Sequence, residues 1–137
     1  PAPEVAASYR EARAALADPA QTDAAKLDVV ATLASDPSDA ATDVLLESTR
    51  NASILVSMAA VKALAGRSCA RIVEPLTALL ADGEWQRRAW AAKILGVDGC
   101  VGARDALAAQ RGREADARVT KLMDDAIEML DEKETGR

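Results

Sequence analysis

The stretch RIVEPLTALLADGEWQRRAWAAKILG, from Arg71 to Gly96, carries the pattern that decides the fold. A leucine-rich segment around Pro75 is followed by the charged turn ADGE, an arginine pair and an alanine-rich segment that ends in Leu-Gly. Apolar residues recur at the three- and four-residue spacing that is typical of amphipathic helices. Aspartate and glycine between the two segments are turn formers. The stretch therefore predicts two short helices joined by a tight turn.

The same pattern recurs along the chain at an offset of 31 residues. Two leucine series, one acidic series and two pairs keep this spacing: Leu33–Leu64–Leu95, Leu45–Leu76–Leu107, Asp43–Glu74–Asp105, Cys69–Cys100 and Lys62–Lys93. One helical hairpin cannot bury its apolar face alone, so a period of this length predicts hairpins that stack on one another.

Local signals divide each period into two helices. We predict first helices over 23–35, 51–65 and 84–95, and second helices over 38–50, 69–81 and 100–110. Ser38 and Ser68 stand where helix N-caps are expected. Proline is tolerated in the first turn of a helix and kinks it deeper inside, and the sequence leaves both placements open for Pro75.

The organisation predicted from these helices is a single repeat domain over 1–137. Its repeats cover approximately 23–50, 51–81, 82–110 and 113–132. A further amphipathic helix over 4–17 would cover the open end of the first repeat. The fold class is all-α, because alanine, the strongest helix former, supplies 32 of the 137 residues.

The segment IVEPLTALLAD (72–82) with GEWQRRAWAAKILG (83–96) resembles the HEAT-like repeat, in particular the short type found in phycobilisome lyases. DPSDAATDVLLE (36–47) and MAAVKALAG (58–66) match the two halves of the same motif. The family's arginine position falls on Arg88, whereas Ser57 replaces it one repeat earlier. The resemblance implies a right-handed α-α superhelix of about four helical hairpins, with the second helices on its inner face. A plain antiparallel helical bundle is the alternative.

Composition and charge restrict the function. The formal net charge is −5 and there is no histidine, which disfavours nucleic acid as the partner and excludes histidine-based catalysis and metal sites. No apolar run reaches the roughly 20 residues of a membrane span, so we expect no membrane partner. Two cysteines are too few for a disulfide framework. We therefore expect a cytoplasmic protein.

A candidate protein-binding patch combines the residue types that dominate interface hot spots. Its members are Trp85, Arg87, Arg88, Arg104 and Arg111. The alternative is that Trp85 covers a groove between repeats while the arginines are solvated. Trp90 points about 140° away from Trp85 on the same helix, and we expect it to be buried.

The acidic series Asp43, Glu74 and Asp105 is a second candidate site. If the second helices line the inner face, these carboxylates form a row that suits a basic segment of a partner. The alternative is favourable placement near positive helix N-termini, worth roughly 0.3–1 kcal/mol each. Neighbours would lie about 10 Å apart, the helix-packing distance, which gives no reason for a catalytic pair.

Cys69 and Cys100 occupy equivalent places near helix starts. Equivalent positions in adjacent hairpins are too far apart for a disulfide, which needs Cα atoms within about 7 Å. We therefore expect two small buried residues. A reactive or ligand-accepting thiol is the alternative, because the lyases that the chain resembles act on bilin chromophores.

The sequence favours a non-enzymatic protein–protein interaction module with no catalytic residues, no metal and no cofactor. Two alternatives remain open at this point. The chain could be an accessory subunit that resembles bilin lyases and acts on a tetrapyrrole or a cofactor-bearing protein. It could also bind nucleic acid weakly through residues 50–121, which carry 12 basic and 7 acidic side chains.

Overall fold

The computed structural model describes the backbone of residues 3–136 and the side chains from Ser8 onward. Within this range the protein is all-helical, as predicted, with eight α-helices, one short 3-10 helix and no strand. The helices are α1 (Pro3–Ala17), α2 (Asp23–Ala34), α3 (Asp39–Ser48), α4 (Ile54–Ala63), α5 (Cys69–Leu79), α6 (Trp85–Val97), η1 (Val101–Ala103), α7 (Arg104–Arg111) and α8 (Ala117–Thr135).

The starts of the first helices reproduce the sequence offset. Helices α2, α4 and α6 begin at Asp23, Ile54 and Trp85, which are 31 residues apart. The three leucines of the first series each stand ten residues after these starts and are buried: Leu33, Leu64 and Leu95. The equivalence read from the sequence is therefore an equivalence of position within each helix.

The helix ends follow from local chemistry. Ser38 is the N-cap of α3, as predicted, and its hydroxyl accepts a hydrogen bond from the Ala41 backbone N–H at 3.1 Å. Ser68 occupies the N-cap position of α5 but makes no capping hydrogen bond through its side chain. Pro75 lies inside α5, beyond its first turn, so it cannot donate the usual hydrogen bond to the Arg71 carbonyl.

The chain divides into two compact units, with the boundary between Leu64 and Ala65. In the first unit, α2 packs mainly against α4, and α1 and α3 pack alongside them. The buried Ser57 hydroxyl donates to the Thr49 carbonyl at 2.6 Å. Ser57 therefore makes a buried hydrogen bond at the position where the HEAT-like repeats that the sequence resembles carry arginine. The core of this unit includes Val30, Leu33, Val44, Leu45, Val56 and Val61.

In the second unit, α6 makes its most extensive contacts with α8 and also packs against α5. The close approach depends on Gly96, because a Cβ there would lie 2.7 Å from the Ala126 Cα. Helix α7 and η1 pack on α8 as well. The core of this unit includes Ile72, Leu76, Leu95, Leu107, Met123 and Leu130.

The last predicted second helix differs in detail from the structure. The prediction placed a helix over 100–110, whereas η1 covers Val101–Ala103 and α7 starts only at Arg104. Residues Gly99 to Gly102 disfavour a regular helix start, because two glycines lose much backbone entropy when they are ordered. Cys100 consequently lies in a turn and not on a helix.

None of the helices in residues 3–136 combines the length and the apolar content that crossing a bilayer requires.

Candidate functional site

Arg88 joins two loops of the second unit through four hydrogen bonds. Its Nε and Nη2 donate to the two carboxylate oxygens of Glu114 at 2.7 and 3.1 Å. Its Nη1 donates to the backbone carbonyls of Asp82 and Gly83. The two side chains of the ion pair are 17 % and 4 % exposed. Bidentate, largely buried pairs of this kind are structural, so Arg88 stabilises the fold and is not a free binding group.

Trp85 and Arg87 lie beside this pair at the start of α6. Arg87 Nη1 is 3.1 Å from Asp82 Oδ1, and both side chains are largely buried. The Arg118 guanidinium stacks 3.6 Å from the centroid of the Trp85 ring, a cation–π contact. Asp116 holds Arg118 in turn, with Nη2 and Oδ2 2.7 Å apart. The structure therefore brings three of the predicted patch residues together, but inside a network of ion pairs.

Arg104 and Arg111 belong to a different place, the seam between α7 and α8. Arg104 Nε donates to Asp131 Oδ1 at 2.9 Å, and Arg111 Nε donates to Asp124 Oδ1 at 2.7 Å. Each arginine of the predicted patch thus has a carboxylate partner. These partners stand 5 to 27 residues away in sequence, and no short motif marks them.

The ion pairs lower the pKa of three carboxyl groups, those of Glu114, Asp116 and Asp131, the last through its hydrogen bond from Arg104. The hydrogen bonds from Arg88 hold the pKa of Glu114 below its ordinary value. The hydrogen bond from Arg118 lowers the pKa of Asp116 to about 2. A carboxyl group whose pKa is depressed in the folded state stabilises the protein above its unfolded pKa, and this contribution is lost as the pH falls through the folded pKa.

We expect the free energy of unfolding to fall on acidification below about pH 4.3, the ordinary glutamate pKa, in part because Glu114 is protonated. Denaturant titrations at a series of pH values measure this. In the Glu114→Gln variant, the free energy of unfolding should fall less steeply with decreasing pH than in the parent protein. Asp105→Asn is the matched control, because the Asp105 side chain is fully exposed. If the free energy of unfolding depends on pH equally weakly in both variants, the role assigned to Glu114 is contradicted.

The expectation that Trp90 is buried is wrong. Its ring is half-buried, and Lys93 Nζ lies 4.7 Å from the ring centroid. Trp90 lies about 100° from Ala89, on the arc that carries the exposed Val97. The buried residues of α6 are Ala89, Ala91, Ala92, Ile94, Leu95 and Gly96.

The acidic series does not share one environment. Asp43 is half-buried on α3 in the first unit, whereas Glu74 on α5 and Asp105 on α7 are exposed in the second unit. Only Asp105 stands in the first turn of its helix, where the helix dipole favours a carboxylate. The acidic row remains a prediction.

The two cysteines form a disulfide, so the expectation that they are too far apart is wrong. Their Cα atoms are 5.5 Å apart. The expectation treated both residues as positions on packed helices, whereas Cys100 lies in the turn before η1, and η1 packs against α5. Disulfides persist mainly in oxidising compartments, which weighs against the cytoplasmic expectation.

The second unit carries a small exposed apolar surface that the sequence did not predict. Four large apolar side chains are exposed among the described residues, and three belong to this unit: Val97 (62 %), Val101 (44 %) and Met129 (42 %). Val97 and Met129 line a shallow groove of about 370 Å³, together with Gly96, Asp98, Gly99, Glu132 and Lys133. We call this feature the Val97 groove.

No protein-family model matches the chain, and no significant match was found among curated proteins. The likeness to HEAT-like repeats accordingly rests on the residues of the sequence itself.

Proposed function

We propose that the protein is a HEAT-like solenoid that binds another protein and has no catalytic role. The repeat part of the proposal is supported by the helix starts at Asp23, Ile54 and Trp85, since equal spacing of equivalent helices is typical of stacked hairpins. A right-handed superhelix of about four hairpins is the arrangement proposed. A crystal structure in which no constant rotation relates successive helix pairs would contradict it.

The observation that carries the binding proposal is the Val97 groove. Contiguous exposed apolar side chains are often interaction sites, and Val97 and Met129 lie together on this shallow groove. Val97 lies on the last turn of α6, and Met129 on α8 provides a flexible, polarisable wall. The sequence-predicted patch is a weaker candidate, because its arginines are already bound to carboxylates.

The rim of the groove is polar and partly ordered. Lys133 Nζ donates to the Gly99 carbonyl at 2.9 Å, which fixes the lysine across the turn. Asp98 and Glu132 add carboxylates at the same rim. An apolar centre with a mixed-charge rim suits a protein segment that inserts one or two apolar side chains and makes polar contacts around them.

We expect Val97→Asp to weaken capture of the partner by about 30-fold or more, the effect of removing an interface hot spot. Tagged protein is incubated with an extract of its native cells, and the captured protein is quantified by mass spectrometry. Leu55→Asp is the matched control, because Leu55 is 61 % exposed in the other unit. Undiminished capture by Val97→Asp contradicts the assignment of the groove.

The same assay tests the sequence-predicted patch. Trp85→Ala removes the indole on which Arg118 stacks, and Trp90→Ala removes a half-buried indole from the same helix. We expect neither substitution to reduce capture as much as Val97→Asp does. A loss confined to Trp85→Ala would move the binding surface to the start of α6.

A further inference from the structure

We propose that the Cys69–Cys100 disulfide is a thiol-exchange site, which low-molecular-weight thiols enter at the Cys69 sulfur. Its opening removes the covalent restraint on the turn that follows α6. The proposal concerns the chemistry of this pair alone and does not depend on the binding function.

The two cysteine residues differ in exposure. Cys100 is 2 % exposed, whereas Cys69 is the first residue of α5 and is only half-buried. A thiolate attacks a disulfide at the sulfur it can reach, and access contributes to the rate together with the chemistry of the two thiols. The incoming thiol therefore bonds to Cys69 Sγ, and Cys100 Sγ is the leaving group.

The exchange is balanced in atoms and electrons. A thiolate RS⁻ forms a bond to Cys69 Sγ as the Cys69–Cys100 bond breaks, and the Cys100 thiolate takes up a proton from water. If the reagent is a dithiol, its second thiolate attacks the reagent sulfur of the mixed disulfide and displaces the Cys69 thiolate. The reagent is thereby oxidised to a cyclic disulfide, and both cysteines are reduced. If the reagent is a monothiol, the Cys100 thiolate attacks Cys69 Sγ, re-forms the Cys69–Cys100 bond and expels the monothiol as its thiolate.

The reversal of the reaction with a monothiol follows from the geometry of the cysteine pair. The Cα atoms of the two residues are 5.5 Å apart, and η1, directly after Cys100, packs against α5. Cys100 therefore remains next to Cys69 after the bond opens. We expect that a monothiol adduct on Cys69 is short-lived in the native protein and persists only when Cys100 is replaced.

The segment that the disulfide holds is the turn from Asp98 to Cys100. Two further contacts bind this turn to the start of α5. The Gly66 backbone N–H donates to Asp98 Oδ2 at 2.8 Å, and Cys69 Sγ lies 3.7 Å from the Asp98 carbonyl oxygen. Gly99 adopts the left-handed conformation with φ +68°, which restricts the turn to glycine at this position. Opening the disulfide leaves the hydrogen bonds that Gly66 and Lys133 make to this turn and the packing of η1 as the remaining restraints.

The exchange step is tested with two single-cysteine variants, Cys100→Ser and Cys69→Ser, and glutathione disulfide as the probe. Mass spectrometry follows the formation of the glutathione adduct with time. We expect Cys69 to react at least about tenfold faster than Cys100, because Cys100 is buried. In denaturant the two rates should become similar. Equal rates in the folded variants, or faster reaction of Cys100, would overturn the proposal.

Two measurements on the native sequence avoid dependence on the folding of the variants. A brief reaction with a monothiol, quenched by acid, should give a mixed disulfide that peptide mapping locates on Cys69. Full reduction with a dithiol should raise amide hydrogen exchange in residues 98–103 by about tenfold or more. These amides should then exchange faster than those in the buried part of α8 around Met123, which report global unfolding. An adduct on Cys100, or unchanged protection of 98–103, contradicts the proposal.

Discussion

Replacing Arg88 by methionine is expected to lower the free energy of unfolding by about 1–3 kcal/mol, the cost of leaving a largely buried polar group without its partner. The substitution leaves the Glu114 carboxylate, whose side chain is 4 % exposed, without its bidentate donor. It also removes the donors to the carbonyls of Asp82 and Gly83. Denaturant unfolding at neutral pH, followed by circular dichroism, measures the difference.

Arg111→Met is the matched control for this prediction. The ion pair of Arg111 with Asp124 has side chains 41 % and 56 % exposed, and exposed pairs are worth about 0–1 kcal/mol. Adding Glu114→Gln to Arg88→Met should restore part of the stability, because the uncompensated charge is removed. Equal losses from the Arg88 and Arg111 variants would show that burial of the pair has no energetic consequence.

Reduction of the disulfide is expected to lower the free energy of unfolding by roughly 3–4 kcal/mol, since the bond closes a loop with a sequence separation of 31 residues. The loop contains α5 and most of the α5–α6 packing in the second unit. Thermal or denaturant unfolding with and without a dithiol measures the effect.

The double variant Cys69→Ala/Cys100→Ala is the control for this second prediction. It should match the reduced parent in stability and should not respond to the dithiol. A parent protein whose unfolding is insensitive to the dithiol, although both thiols are shown to be reduced, would refute the stabilising role. This result is separate from the exchange site, which concerns only the sulfur that reacts first.

The helices and their register were predictable because local chemistry determines them. The alanine-rich composition of α2 and α4, the Ser38 cap and the turn residues all act within a few positions along the chain. The recurrence of Leu33, Leu64 and Leu95 then related these local elements to one another. Where turn chemistry was irregular, around the two glycines that flank Cys100, the predicted helix start was wrong by a few residues.

The sequence predicted which residue types take part in the candidate site, but not which partners these residues have. Arg88 was correctly singled out, but its role depends on Glu114, which lies 26 positions away and has no motif that links it to the arginine. An arginine in a sequence is equally consistent with a solvated side chain, a hot spot or a buried pair. The distinction is made by the distance and burial of the carboxylate, which are properties of the folded chain.

The sequence by itself therefore determined that the protein is helical and, to within four residues, where its repeated helices begin, because these features depend on neighbours along the chain. Only the tertiary structure decided which arginines are neutralised, that Cys69 meets Cys100, and that Val97 stays exposed. Each of these depends on how residues distant in sequence pack, and packing distances are set by the whole arrangement of helices and turns.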